Sequence, residues 1–176
     1  QAMDFDGNDD EIDLPNTIIG TSDYSMSIWI KTEPQASWTV LFGDYCDSGG
    51  EQGTMLWKDS SNDAIVARLS DGSSYVETRT GNISDDTWHH VVAVVDRDQN
   101  ITIYLDGEWN NTVDVSSLAS YALTLGNFCL GSHCIGTGAN FGGLVDEALL
   151  FNRTLSEAEV SALYNNTANR LYHNFS

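Results

Sequence analysis

Carboxylates set beside glycine stand at both ends of this chain. Near the start runs Met3-Asp4-Phe5-Asp6-Gly7-Asn8-Asp9-Asp10-Glu11-Ile12. Near the end runs Phe141-Gly142-Gly143-Leu144-Val145-Asp146-Glu147, continuing to Leu155-Ser156. Hard oxygen donors in a tight loop are the chemistry of calcium binding. If the apolar stretches on either side pair in one sheet, their acidic residues meet. A metal would then staple the two ends of one closed β domain. Two imidazoles, His89 and His90, are adjacent. Neighbouring strand residues point to opposite faces, so the pair cannot easily serve one ion, and structural roles are expected.

Catalytic constellations are poorly matched. A glycosidase needs two carboxyl groups about 5–9.5 Å apart, which on a strand means acids of the same parity. Asp96 and Asp98 have that spacing but lie at a turn; Asp44 and Asp47 have the wrong parity; Asp9 and Glu11 have the spacing at the opening strand. Cys46-Asp47-Ser48-Gly49-Gly50 and Ser132-His133-Cys134 echo a serine-protease nucleophile loop and histidine segment. Their order is reversed and no matching aspartate context accompanies them. No catalytic residue is expected.

The 176 residues suit one domain with a sizeable core. Seven basic residues against 26 acidic ones give a formal net charge of -19. Nucleic acid and anionic membrane surfaces would be repelled. The acidity suits either an extracellular surface or a high-salt environment; only Lys31 and Lys58 are lysines. The hydrophobic fraction of 41% excludes a disordered acidic tail. No apolar run approaches the roughly 20 residues of a bilayer span. No signal-peptide pattern opens the chain, as expected of a mature or excised domain. Three cysteines, Cys46, Cys129 and Cys134, are too few and too loosely spaced for a zinc site. One disulfide is expected. Cys129 and Cys134 could close the loop between them, and Cys46 could instead pair with either. Asn-x-Ser/Thr sequons at Asn82, Asn100, Asn110, Asn152, Asn165 and Asn174 are candidate glycosylation sites.

Short alternating runs and turn residues predict an all-β chain. Ser25–Ile30 alternates, and Trp88–Asp96 is a continuous apolar run suited to a central strand buried on both faces. Asp71-Gly72 and Asp106-Gly107 read as hairpin turns. One helix is convincing: the capping box Ser156-Glu157-Ala158-Glu159 precedes Val160, Leu163 and Tyr164 on one face. The Asn-rich residues 166–176 read as a tail or linker. The expected architecture is an antiparallel two-sheet jelly-roll sandwich over residues 1–165, with one short C-terminal helix.

Four pieces, in order, resemble the laminin G-like, concanavalin A-like jelly rolls of extracellular multidomain proteins. They are Asp4–Asp10; Ser27-Ile28-Trp29-Ile30-Lys31; Thr87–Val92 with Ile103–Gly107; and Phe141–Glu147 through Ser156. The resemblance covers about residues 3–165. It implies a calcium ion where the first and last strands meet, held by Asp6 and Asp146 with Asn8, Asp9 or backbone carbonyls. An Asx turn at Asp6 is the simpler alternative for that residue. It also implies a glycan or cell-surface protein as ligand, on a concave sheet or on rim loops. The two longest irregular stretches are 43–53 and 131–140. Tyr45 or Trp57 would stack on a sugar, and Asp44, Asp47 or Asn140 would bond its hydroxyls. The expectation is a non-catalytic extracellular binding or adhesion module within a larger parent chain. A spacer domain of a surface or virion protein is the alternative, and a glycoside hydrolase the third reading.

Overall fold

A computed structural model describes residues 2–15, 17–44, 52–126, 128–133 and 139–173. The strands in chain order are β1 (Met3–Asp6), β2 (Ile12–Asp13), β3 (Thr17–Gly20), β4 (Tyr24–Lys31), β5 (Thr39–Asp44), β6 (Gln52–Lys58) and β7 (Ala64–Asp71). They continue with β8 (Tyr75–Asn82), β9 (Trp88–Val95), β10 (Asn100–Leu105), β11 (Glu108–Asp114), β12 (Leu123–Leu125), β13 (Cys129–Leu130) and β14 (Gly142–Phe151). One α-helix, α1 (Glu157–His173), follows. Sheet one has the order β1-β14-β4-β9-β10-β11, sheet two the order β2-β13-β5-β6-β7-β8, and β12 pairs with β3 in a small ribbon. All recorded pairings are antiparallel. The predicted two-sheet sandwich is the observed fold.

The sequence periods explain the layers. In β4, Tyr24, Met26, Ile28 and Ile30 enter the core between the sheets, where Val91, Ala93 and Val95 of β9 meet them. The other parity of β9, Val92 and Val94, packs on Leu155 and Val160 outside the sheet. That second burial is why β9 reads as an unbroken apolar run. In β4 the outward Ser25 is instead small and polar. Its hydroxyl donates to the Arg153 carbonyl at 2.9 Å and accepts from the Leu155 N–H at 3.1 Å, fixing the approach to α1. The Asp106-Gly107 turn is a two-residue hairpin with both φ positive, 52° and 82°, as its sequence predicts.

The helix corrects one boundary. The capping box forms, with the Ser156 N–H donating to Glu159 Oε2 at 2.9 Å and Glu159 N–H to Ser156 Oγ at 3.4 Å. The helix does not yield to a tail after 165, however; it runs to His173. Leu171 is fully buried with Trp29 and Trp88, and Ala168 packs beside them. Thr167 Oγ1 accepts from Trp29 Nε1 at 2.7 Å, and Tyr164 stacks on Trp29 with centroids 5.5 Å apart. The polar residues of 166–173 mask one apolar stripe laid over sheet one. Deleting residues 166–176 should therefore cost about 3 kcal/mol, the scale of losing one large buried side chain. That corresponds to a fall in melting temperature of roughly 6–12 °C. Thermal unfolding of the truncated chain checks this, and an unchanged midpoint would restore the tail reading.

Candidate functional site

The helix leaves the sandwich with one covered outer face and one open one. On the open face of sheet two, register sets the rows. Val40, Trp57, Val66 and Arg79 lie across β5 to β8, and Met55, Arg68 and Glu77 form the next row. The inward parity of the same strands, Leu56, Ile65, Ala67 and Leu69, belongs to the core. Trp38, just before β5, folds over this surface. Its ring stands edge-on to Trp57 at 6.1 Å and to His133 at 5.7 Å. The result is a groove of about 410 Å³ lined by Trp38, Met55, Trp57, Asp59, Arg68 and Tyr75, with Ser60 at its rim. Trp38 is 40% exposed and Tyr75 58% exposed, which is uncommon for rings of this size.

Charge on this sheet face is paired. The Arg68 guanidinium lies 4.4 Å from the centroid of the Tyr75 ring and 5.6 Å from that of Trp57. Its Nε donates to Glu77 Oε1 at 2.7 Å, and Nη2 closes on the same oxygen. Arg79 reaches Asp59 at 3.3 Å and Glu77 at 3.5 Å. Asp59 also accepts from the Ser61 N–H, which is the main reason its carboxyl is held below the usual range. A larger cavity, about 630 Å³, opens at the end of the core between Leu14, Ile18, Phe42, Phe128 and Leu150. Phe42, Phe128 and Phe151 line it with aliphatic chains and the polar Ser22, Asp23 and Asn152, but no basic side chain and no tryptophan or tyrosine does.

The acidic loop after β1 is the second candidate. The carboxylates of Asp6, Asp9 and Asp10 place ligand oxygens within 4.8 Å of one another, all exposed. The Asp6 N–H donates to Asp10 Oδ2 at 2.8 Å, and the Asn8 N–H to Asp6 Oδ1 at 2.8 Å. The Asn8 bond is the main cause of Asp6's lowered pKa. The expected Asx turn is thus present. Asn140 Nδ2 donates to the Asn8 carbonyl, tying the loop to the segment before β14.

Asp146 is not part of this cluster. Strands β1 and β14 do pair, but the register sets Asp6 opposite Gly142. Asp146 is four residues farther along, about 13 Å at the usual strand rise. It lies opposite Trp29, and its Oδ1 accepts from the Glu147 N–H at 2.8 Å. The carboxylate that the structure brings beside Asp6 and Asp9 is therefore that of Asp10, and not that of Asp146. Pairing of the chain ends was legible, whereas its register was not.

The other expected residues divide. Trp57 lines the groove, and among the described residues its buried Nε1 has no hydrogen-bond partner. Asp44 is buried, and its Oδ2 accepts from the Gly126 N–H at 2.5 Å, so it is a loop staple rather than a groove ligand. Asn140 belongs to the acidic loop. Tyr45, Asp47, Cys46, Cys134 and Asn174 lie outside the described residues. Cys129 is buried at the start of β13. Asn82, Asn100, Asn152 and Asn165 are exposed and Asn110 is half-buried; none of the five lines the groove. His89 and His90 face opposite ways. His89 is held between Asp106 at 2.8 Å and Asp85 at 3.2 Å, and the Asp106 bond raises its pKa. His90 contacts Ser27 Oγ at 2.9 Å beneath Tyr164, and burial pushes its pKa down to about 4. Sequence reasoning missed Trp38, Arg68 and Tyr75. The signal was their outward parity beside Trp57, which becomes visible only once β6, β7 and β8 are placed in register.

Two antiparallel sheets, with a helix on one outer face and an aromatic groove on the other, define a lectin-like β-sandwich. The chain belongs to the Laminin_G_3 family of the concanavalin A-like lectin/glucanases superfamily, whose model matches residues 6–161. Among solved structures it is similar to the binding domain of Paraclostridial Mosquitocidal Protein 1, at 18% identity and TM-score 0.74, over 96% of this chain and 46% of that one. It is similar to the botulinum neurotoxin serotype D binding domain at 16% identity and TM-score 0.74, over 94% and 42%. It is also similar to the Ruminococcus gnavus IT-sialidase CBM40 bound to α2,3 sialyllactose, at 15% identity and TM-score 0.67, over 89% and 97%. This chain spans less than half the length of the two toxin binding domains. At these identities the likeness is one of fold. No curated protein sequence matches the chain.

Proposed function

We propose that this domain is a non-catalytic extracellular binding module of a larger parent chain. Its ligand is a glycan, taken in the groove on the open face of sheet two, and a calcium ion steadies the acidic loop. The observation that carries the reading is the set of exposed rings, Trp38 and Tyr75, beside Trp57 and four paired charges on the one outer face that α1 leaves open. Aromatic faces accept the apolar face of a sugar ring, and carboxylate and guanidinium groups bond its hydroxyls. Similar domains, among them the receptor binding domain of botulinum neurotoxin D and a CBM40 bound to sialyllactose, support the reading by fold.

The donor set at Asp6, Asp9 and Asp10 fits calcium, because all three offer hard carboxylate oxygens in one short loop. A bound ion would supply positive charge that relieves the mutual repulsion of these acids. The hollow beside this loop is lined by Asp6, Gly7, Asn140 and by Ser37 and Thr39, the two neighbours of Trp38. Calcium would thereby steady the wall of the groove as well as the loop.

The test is a glycan array with the isolated domain in calcium buffer, repeated in EDTA. Calcium-dependent binding to a defined sugar supports both parts of the proposal. Silence in both buffers sinks the glycan reading and leaves a spacer, a reading favoured by the exposed sequons Asn82, Asn100, Asn152 and Asn165. Calcium is checked separately by melting curves. At a concentration 100-fold above its dissociation constant, the ion should stabilise the domain by about 2.7 kcal/mol. Asp9→Asn should abolish most of that gain while leaving the midpoint in EDTA nearly unchanged. A wild-type midpoint indifferent to calcium would remove the metal from the proposal.

A further inference from the structure

We infer that the groove selects an uncharged glycan and rejects one ending in an acidic sugar such as sialic acid. The inference rests on the glycan reading above and narrows it. A sugar carboxylate is recognised by a guanidinium or ammonium with donors to spare, since the bidentate pair fixes both charge and geometry. One guanidinium, Arg68, lines the groove and a second, Arg79, lies on the same sheet face, and acids of that face already engage both: Arg68 on Glu77, and Arg79 on Asp59 and Glu77. Two positive and two negative groups cancel. A third carboxylate would either displace Glu77 or Asp59 or add an uncompensated negative charge beside them.

Nothing nearby corrects that balance. Lys31 pairs with Asp86 at 3.3 Å, and Arg153 with Glu159 at 2.7 Å. Lys58 is fully buried on Asp63. Arg97 is 2% exposed and spends its Nη2 on the carbonyls of Leu118 and Tyr121. Among the described lysines and arginines, every basic group is therefore committed to an acid or a carbonyl. The chain as a whole carries -19, which opposes the approach of an acidic ligand. A neutral sugar meets none of these objections. Its hydroxyls donate to the Asp59 carboxylate in the groove lining and accept from the remaining Arg68 N–H groups without adding charge, so the ion pairs stay intact.

The experiment uses matched glycan pairs that differ only by a terminal sialic acid, with affinities measured for the wild type, Trp38→Ala and Glu77→Gln. Neutral members should bind at least tenfold more tightly than their sialylated partners, and Trp38→Ala should weaken them. Glu77→Gln, which removes one acid and releases its guanidinium bonds, should narrow the gap severalfold; its melting curve confirms that the fold persists. Sialylated members binding equally well or better, with Trp38 required, would overturn the selectivity while leaving the glycan site standing. Binding to neither member of any pair would overturn the glycan reading itself, and the selectivity with it.

Discussion

Trp57→Ala is expected to weaken glycan binding about thirtyfold, with no comparable loss at a ring outside the groove. Trp57 is the centre of the floor: Trp38 stands against its edge, and Arg68 lies over its face. Removing it takes away contact area and unseats both neighbours. An anchor of this kind is worth about 2 kcal/mol or more, which is roughly thirtyfold in a dissociation constant. The control is Trp109→Ala. Trp109 is 59% exposed on the edge strand β11 and does not line the groove, so affinity should be unchanged. Because Trp57 also packs against Val40, Met55 and Ala139, the variant needs a companion that spares the fold. Trp38→Ala serves, since Trp38 is already 40% exposed. Titration of all three variants against one array-identified sugar decides the matter. Equal affinities for Trp57→Ala and the wild type would move the ligand away from this face.

The second large effect concerns stability. Asp63→Asn should destabilise the domain by about 3 kcal/mol, the lower end for breaking a buried ion pair. Lys58 is fully enclosed, while the Asp63 side chain is 18% exposed, which is why the lower end applies. Asp63 also accepts from Ser84 Oγ at 3.1 Å and holds a φ of 55° in the turn after β6. Asparagine tolerates that backbone and keeps the shape, so the substitution isolates the charge. The double variant Lys58→Met with Asp63→Asn should recover much of the loss, because it removes the buried ammonium that Asp63→Asn leaves without its counter-charge. Urea unfolding of the three chains tests this, and a loss undiminished in the double variant would place the cause in the turn.

The same pair fixes a pH dependence. The Asp63 carboxyl is held below its ordinary 3.8, first by the hydrogen bond from Lys58. A depressed carboxylate contributes stability that is complete above the unfolded value and fades as pH falls through the folded one. The wild type should thus lose this contribution below about pH 4, and Asp63→Asn should lack that part of the acid limb. His89 works in the opposite sense. Its raised pKa, due first to Asp106, adds stability that is complete below 6.5 and declines as pH rises through the folded value.

Much of the architecture was determined by the sequence, because it was written in local periods. Alternation in Ser25–Ile30, the doubly buried run of β9, the Asp-Gly hairpins and the Ser156 capping box each need only neighbours along the chain to be read. The pairing of the two ends was also legible, since each carries apolar residues that a lone strand would leave exposed. Register belonged to the tertiary structure, as did everything that depends on it. A strand's side chains alternate whatever its partner, so the sequence could not say that Asp6 lies opposite Gly142, nor that Asp146 is thereby carried away from the acidic loop. It could not tell Asp44, bound to the Gly126 amide, from a ligand group on a loop. The last turns of α1 looked polar because only one stripe of them meets Trp29 and Trp88, and that stripe has meaning only against the sheet. The groove is the clearest case. Trp38, Trp57, Arg68 and Tyr75 lie on four different stretches of chain, and only the antiparallel stacking of β5 to β8 turns them into one surface.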